Sequence, residues 1–367
     1  MKILYVCTST DTGGAEKALF ALARAAKEAS HEIKIISLFP LGSVGKDMLE
    51  QGWDVISLDL RGKIRPLETA GVLARLIREI QTFGPDVVHA SLFRAIILCR
   101  LAKKKISFRF ITTPHYDLSK KNYFLKLLDR ALKDQDDLSC AESQSTADFL
   151  VKKQKYKEEK VRLVSNGVDG VFFHPNNALR LRMRQELGFS EYNIVFACVA
   201  RLSKEKNHGT LLESFASLWN KNPGVRLLLV GDGPEKEKLQ NLCRQKGIEK
   251  EVLFAGEVRN VYPYLLACDV FILLSYIESL PLSLLEACSC GKASIVSKSG
   301  DMPRVVLHGK SGFVCNGQDR IVVSALMAEL AENQALRTQM GKEARLRMEK
   351  YYPSSEYRYL QIYKEMI

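Results

Sequence analysis

Short runs of β-branched and aliphatic residues alternate with stretches of helical period along this chain, and the alternation runs through twice. No other feature constrains the fold as strongly. Parallel strands need long crossover connections, and a helix between successive strands supplies them. The first series predicts strands over residues 2–7, 32–38, 55–58, 86–90, 108–113 and 137–141. Helices are predicted over 15–29 and 68–82, with further helical segments between the later strands. The strand runs are continuously apolar rather than alternating, as expected when a sheet is covered on both faces. A strand over 161–164 and the turn cluster Ser165-Asn166-Gly167-Val168-Asp169 close this half, and His174-Pro175-Asn176-Asn177 reads as a linker because it breaks both periods. The second series places strands over 194–200, 225–230, 252–254, 270–274 and 293–296 and helices over 208–219 and 236–246. From about residue 321 the sequence is helical, with a break at Pro353.

At 367 residues the chain exceeds what one hydrophobic core usually serves. The expectation is therefore an α/β protein of two doubly wound, Rossmann-like domains over residues 1–174 and 175–350, with 351–367 as a C-terminal helix returning toward the first. Ligands of such sheets sit beyond the carboxyl ends of the strands, so two domains of this kind are expected to face each other across a binding cleft.

Composition narrows the function. The chain carries 54 Lys and Arg against 42 Asp and Glu, and residues 1–174 hold 28 of the bases and 21 of the acids, so both halves are basic. A net charge of +12 suits phosphorylated ligands, an anionic membrane surface or nucleic acid. No zinc-finger, basic-zipper or RNP motif is present, so nucleic acid is not expected as a partner. The first residues do not read as a secretory leader, and the longest apolar runs, such as 194–200, fall far short of the ~20 residues that span a bilayer. Nine scattered cysteines lie mostly in apolar runs, and Cys288-Ser289-Cys290 has no second pair at zinc-site spacing. They read as buried free thiols of a cytoplasmic protein rather than as metal ligands or disulfides.

Four stretches carry chemistry. Gly13 and Gly14 sit in the turn after the first strand, which suits either backbone amides approaching a phosphate or a plain turn, and it is not a GxGxxG fingerprint. Arg201 and Lys206 lie in the basic loop Ala200-Arg201-Leu202-Ser203-Lys204-Glu205-Lys206-Asn207 at a strand end, suited to a phosphate or to plain solvation. Val230-Gly231-Asp232-Gly233-Pro234-Glu235 is a glycine-rich strand-to-helix turn. Glu278-Ser279-Leu280-Pro281-Leu282-Ser283-Leu284-Leu285-Glu286 brackets an apolar run with two acids. Pro281 is predicted to open a helix that Ser279 caps and that ends near Gly291. Glu278 then lies in the loop and Glu286 in the helix, and the amides of 279–282 lie at the positive end of its dipole. One polyhydroxylated, phosphorylated ligand explains both acids; two unrelated acids on an amphipathic helix are the alternative. Asp134-Gln135-Asp136 matches the Asp-x-Asp of metal-dependent sugar transfer but reads as a solvated turn.

Together these stretches resemble the retaining glycosyltransferases of family four, which have the GT-B fold. The resemblance rests on Gly13-Gly14-Ala15-Glu16, Asn166-Gly167-Val168-Asp169, Arg201 with Lys206, and Val230-Gly231-Asp232-Gly233-Pro234-Glu235. It continues through Phe254-Ala255-Gly256, Glu278 with Glu286 before Ala287-Cys288-Ser289-Cys290-Gly291, and Gly309-Lys310-Ser311-Gly312-Phe313. It covers nearly the whole chain and is densest from residue 194 to 313. Two positions depart from the family pattern: Ser279 stands where glycine usually follows the first glutamate, and Arg304 follows Pro303 where glutamate is common.

By this resemblance residues 1–174 form the acceptor side and 175–350 bind a nucleotide-sugar donor. Arg201 and Lys206 would hold the diphosphate, Glu286 the ribose hydroxyls and Glu278 the transferred sugar. Ser279, Leu280 and Leu282 would face sugar and phosphate, with Gly13 and Gly14 approaching from the first domain. His115, in Thr113-Pro114-His115-Tyr116, would contact the donor sugar, so His115, Glu278, Arg201 and Lys206 are the expected catalytic set. No metal and no cofactor is expected, because two cations and helix amides can stabilise the leaving diphosphate. A nucleotide-sugar epimerase and a non-catalytic sensor are the rival readings. The acceptor is expected to be a lipid-linked or cell-surface glycan, as in lipopolysaccharide or other polysaccharide biosynthesis. Arg100 with Lys103-Lys104-Lys105, and Lys120-Lys121-Asn122-Tyr123-Phe124-Leu125-Lys126, would dock the first domain on the inner face of an anionic membrane; core-facing apolar residues with solvated lysines are the alternative reading.

Overall fold

The computed structural model describes residues 1–11, 13–60, 66–115, 118 and 121–367, with 66–68 described by backbone alone. The chain divides into two compact units, residues 1–166 with 355–367 and residues 167–354. The first holds a parallel sheet of seven strands: β1 Lys2–Cys7, β2 Glu32–Ser37, β3 Asp54–Ser57, β4 Val87–Ser91, β5 Phe110–Thr113, β6 Leu138–Ala141 and β7 Val161–Leu163. Their order is β3-β2-β1-β4-β5-β6-β7. The second unit has six: β8 Ile194–Val199, β9 Val225–Val230, β10 Val252–Gly256, β11 Val270–Leu273, β12 Ala293–Ser297 and β13 Gly312–Cys315, in the order β10-β9-β8-β11-β12-β13. Both are doubly wound, Rossmann-like sheets.

Strand β1 illustrates why the runs are continuously apolar. Ile3, Tyr5 and Cys7 pack with helix Gly14–Glu28 on one face, while Leu4 and Val6 pack on the other with Leu76 and Ile80 of helix Pro66–Phe83. Every predicted strand is present, its ends shifted by at most two residues. Strand β13 was not foreseen. It has four residues and opens on Gly312 (φ 150°), where a Cβ would lie 2.2 Å from the Ser294 carbonyl oxygen. That close approach requires glycine, and glycine hides the strand from a propensity reading.

The units meet the chain at Asn166/Gly167 and Ser354/Ser355, where boundaries at 174/175 and 350/351 had been expected. The Val168 amide donates to the Tyr352 carbonyl at 3.0 Å, and a Cβ on Gly167 would stand 1.9 Å from the Pro353 carbonyl oxygen. Residues 167–174 are thereby fastened to the second unit. The Asn176 side chain accepts from the Leu179 amide at 3.0 Å and caps helix Asn177–Glu186, so the expected linker is a helix start. After residue 354 the chain returns to the first unit. Helix Glu356–Met366 buries Tyr359, Ile362 and Tyr363 among Leu19, Phe20, Leu22 and Ala23.

Two expectations fail at one place. The sequence places Arg100 in a surface cluster and Asp136 in a solvated turn, yet both are buried, at 0% and 1% exposure. The Arg100 guanidinium grips Asp136 with Nε at 2.7 Å and Nη2 at 2.6 Å, and its Nη1 reaches Asp129 at 2.7 Å. The Tyr156 hydroxyl, 2.6 Å from Nη2, donates in turn to Asp129, and Thr112 and Ser139 hydroxyls donate to Asp136 at 3.1 Å. A charge buried with this many partners is tolerated where an isolated one is not. Burial holds the Asp129 carboxyl above its usual range, opposed by Arg100. Asp134 is solvated, as expected.

Candidate functional site

Parallel strands deliver their loops to one edge of each sheet, and the expected site residues lie on such loops. In the second unit the loop after β8 carries Arg201 and Lys206, and the loop after β11 carries Glu278, Ser279 and Leu280. Strands β8 and β11 are neighbours although 70 residues separate them in sequence, because the winding reverses between them. That reversal is where doubly wound sheets bind ligands.

The sheet order brings Lys206 and Glu278 together. Their side chains form an ion pair, the ammonium on Oε1, and both are largely buried. The Ser275 hydroxyl donates to the same Oε1 at 3.0 Å, and the Glu278 amide donates to Ser299 Oγ at 2.8 Å. Gly300 (φ 53°) lets the loop after β12 press on this turn: a Cβ there would stand 2.4 Å from the carbonyl oxygens of Glu278 and Ser279. The Asp301 amide donates to the Ser279 carbonyl at 2.8 Å. Glu278 is thus fixed by groups from three strand ends.

The loop after β8 is equally constrained. Asn207 (φ 56°) adopts the left-handed conformation, and its Nδ2 donates to the Gly317 carbonyl at 2.7 Å. The Tyr276 hydroxyl donates to Asn207 Oδ1 at 2.7 Å, and the Tyr276 amide to the Glu205 carbonyl at 2.8 Å. The loop after β9 lies against it: Cβ atoms on Gly231 and Gly233 would sit 2.2 and 2.4 Å from the carbonyl oxygens of Ala200 and Leu202. Those two glycines permit the contact, which is why the Gly-Asp-Gly turn is there. Arg201 is exposed and makes no ion pair among the described residues. Behind the loop, burial pushes the His208 imidazole down to about 4, with the Lys206 charge adding to it, so the ring is neutral.

Helix Leu282–Ser289 starts one residue later than expected. Pro281 is its N-cap with extended backbone (φ −70°, ψ 127°), and Ser279 is not the cap. Proline ring geometry suits either position, so the sequence alone misplaces the first turn by a residue. The Leu284 amide already donates to the Pro281 carbonyl at 3.2 Å, which leaves the amides of Leu282 and Ser283 at the dipole's positive end without helical acceptors. Glu286 lies within the helix, half-buried, and Ser279 and Leu280 are buried.

In the first unit Gly13 caps helix Gly14–Glu28 with extended backbone. A Cβ on Gly13 would collide with Glu16 Oε2 at 2.2 Å, whereas a Cβ on Gly14 would meet nothing within 4 Å. Glu16 accepts from the Ser9 hydroxyl at 2.8 Å, which ties the turn to its helix. His115 stands two residues past β5 with φ 48°, a backbone conformation uncommon for residues other than glycine. Tyr116 lies outside the described residues.

Sequence reasoning missed Ser275, Ser299, Asn207 and Tyr276. Ser275 sits three residues before Glu278 at a strand end and was legible. Ser299 was not, because its role depends on β12 lying beside β11. All nine cysteines are free and buried, and burial pushes the Cys198 and Cys288 thiols up to about 12, so they are protonated and inert.

Residues 179–347 match the family model of glycosyl transferases group 1, and residues 12–170 match that of glycosyltransferase family 4. The N-acetyl-alpha-D-glucosaminyl L-malate synthase of Bacillus anthracis is 32% identical over 185 residues, 50% of this chain and 48% of that protein. The GDP-mannose-dependent alpha-(1-6)-phosphatidylinositol monomannoside mannosyltransferase of Mycolicibacterium smegmatis is 29% identical over 188 residues, 49% of each chain. The chain spans about half the length of the curated relatives it matches. Among solved structures, Anabaena Alr3699/HepE in complex with UDP and glucose superposes with a TM-score of 0.88 at 21% identity, over 100% of this chain and 99% of that one. At that identity the likeness concerns the fold, which is the two-domain GT-B arrangement of Rossmann-like domains.

Proposed function

The chain belongs to the family 4 glycosyltransferases, and from that premise we propose that it moves a sugar from a nucleoside diphosphate sugar to a hydroxyl with retention of configuration. The observation that carries the reading is Glu278, a carboxylate fixed by Lys206, Ser275 and Ser299 beside the start of helix Leu282–Ser289. A fixed carboxylate there can accept bonds from sugar hydroxyls. Lys206 has three donors, so one ammonium can hold Glu278 and a phosphate oxygen together. Arg201, exposed on the same loop, grips the diphosphate, and the amides of Leu282 and Ser283 add the helix dipole. As the glycosidic bond breaks, negative charge grows on the diphosphate and these groups stabilise it without reorganising. Glu286 takes the ribose hydroxyls, and His115, Gly13 and Gly14 are read as donor contacts.

Transfer proceeds without a metal in this reading, since cations already meet the leaving group and Asp136 of the Asp-x-Asp pair is committed to Arg100. The acceptor is lipid-linked and the first unit docks on an anionic bilayer. On helix Tyr123–Leu132, Tyr123 and Phe124 are 67% and 77% exposed, and Leu127 and Leu128 are also exposed. Lys121 and Lys126 flank them, and Lys104 and Lys105 are exposed nearby in sequence. Arg100 is removed from this surface, Lys103 pairs with Asp137, and Lys120 lies outside the described residues.

The test is to incubate the protein with UDP-glucose and other nucleoside diphosphate sugars, with and without extracted lipid, and follow sugar and nucleotide by mass spectrometry. Sugar-bearing lipid with release of a nucleoside diphosphate is expected. Conversion of a donor to its epimer, or no turnover of any donor by folded protein, would overturn the reading.

A further inference from the structure

A buried polar chain in the first unit is not used by the chemistry above. His89 on β4 is 1% exposed, and its ring bridges two elements: Nδ1 lies 2.6 Å from the Tyr363 hydroxyl and Nε2 lies 2.8 Å from Thr113 Oγ1. The Tyr359 hydroxyl stands 3.4 Å from the same Thr113 oxygen. Tyr359 and Tyr363 belong to helix Glu356–Met366, and Thr113 is the last residue of β5. Burial pushes the His89 imidazole down to about 3, with the His115 charge contributing, so the ring is neutral. A neutral imidazole donates from one nitrogen and accepts at the other, which gives this chain a single direction.

The next feature of the chain is His115, two residues beyond Thr113. Strands β4 and β5 run side by side, with Ser91 opposite Thr113, and the Leu92 amide donates to the Thr113 carbonyl at 3.2 Å. Just past each strand the backbone takes a positive φ, Leu92 at 69° directly after β4 and His115 at 48° two residues after β5. Such conformations persist only where their surroundings over-determine them. Thr113 is held on its carbonyl by β4 and on its hydroxyl by His89.

We propose that His89, Thr113 and Tyr363 are positioning residues that transmit the seat of the C-terminal helix to the left-handed turn carrying His115. This inference rests on the proposed role of His115 at the donor sugar. It explains why a polar chain is retained in a core that apolar residues would fill, and why the last helix of the chain packs on the first unit. None of the three residues touches substrate; each acts through the backbone at 113–115.

The proposal is tested on the full chain with histidines carbon-13 labelled at Cε1. Thr113→Val removes the hydroxyl at constant shape, Thr113→Ser retains it, and Tyr363→Phe removes the far end of the chain. With Tyr363→Phe and Thr113→Val the signals of both His89 and His115 are expected to move, while those of His174, His208 and His308 stay; Thr113→Ser leaves His115 near its parent position. With UDP-glucose as probe, kcat for nucleotide release is expected to fall roughly tenfold to 100-fold in Thr113→Val and Tyr363→Phe with the donor KM little changed, as small misplacements of a reacting group do. Thr113→Ser should restore the rate, and Thr113→Val should change nothing further in a His115→Ala background. A His115 signal that stays put while His89 moves would overturn the proposal, as would additive losses on top of His115→Ala. If His115→Ala is crippled and Thr113→Val is silent, only the positioning falls. If His115→Ala turns over at the parent rate, the role of His115 falls with it.

Discussion

Asp134 and Asp136 stand two residues apart and are expected to respond to alanine in opposite ways. Asp136 accepts two guanidinium bonds from Arg100 at 2.6 and 2.7 Å in a site without solvent. Its removal leaves Arg100 with Asp129 and the Tyr156 hydroxyl and strands half of a buried charge network. Breaking a buried ion pair on one side costs about 3–5 kcal/mol. Asp134, with its side chain 68% exposed, is expected to cost less than about 0.5 kcal/mol. The two tryptophans allow the units to be read separately, since Trp53 lies in the first and Trp219 in the second. In a Trp219→Phe background, urea unfolding followed by Trp53 fluorescence reports the first unit alone. With a slope of about 2–3 kcal/mol per molar, Asp136→Ala should lower the midpoint by roughly 1.5 M. Asp134→Ala should leave it in place. A shift below about 0.3 M for Asp136→Ala, or equal shifts for both variants, would refute the buried-network argument.

Other outcomes follow from the same structure. Glu286→Gln and Arg201→Ala should each lower the transfer rate by roughly 100–1000-fold with unchanged circular dichroism, the usual cost of one preorganised charged contact. Activity should survive EDTA; complete loss that manganese restores would favour a metal-dependent reaction. Co-sedimentation with vesicles should require anionic lipid, weaken with salt and fall when Lys121 and Lys126 become Glu. Stability should fall as the pH drops below about 6.5. His89 and His208 stay neutral in the fold down to about 3 and 4, so the unfolded chain takes up their protons first. Each contributes a loss of about 1.4 kcal/mol per pH unit until its folded value is reached. His89→Gln should flatten the acid slope read by Trp53.

Much of this was legible in the sequence because parallel, doubly covered strands leave long apolar runs and loops of fixed address. Arg201, Lys206 and Glu278 could be placed at strand ends, and so at one edge of the second sheet, from the runs that precede them. The pairing of Lys206 with Glu278 could not, since it depends on β8 lying beside β11. The same holds for Arg100 and Asp136, whose charges read as solvent-facing until α/β packing brings 36 residues of separation down to hydrogen-bond distance. Strand β13 was hidden because the glycine that permits its approach also erases its propensity. Helix Leu282–Ser289 was located but misplaced by one residue, as proline fits both N-cap and first turn. The return of the last helix to the first unit was foreseen only in outline; its buried partner His89 lies 274 residues away from Tyr363.

The central claim is that loops of the second unit hold a nucleoside diphosphate sugar through Arg201, Lys206 and Glu286. Calorimetric titration of UDP, GDP and their sugar conjugates into the parent protein and into Arg201→Ala and Glu286→Gln tests it directly. At least one nucleoside diphosphate should bind the parent, and each substitution, by removing a charged hydrogen bond worth about 1.5–3 kcal/mol, should weaken that binding at least roughly tenfold. Absence of binding by every nucleotide at millimolar concentration, or equal affinity in parent and variants, would contradict the account.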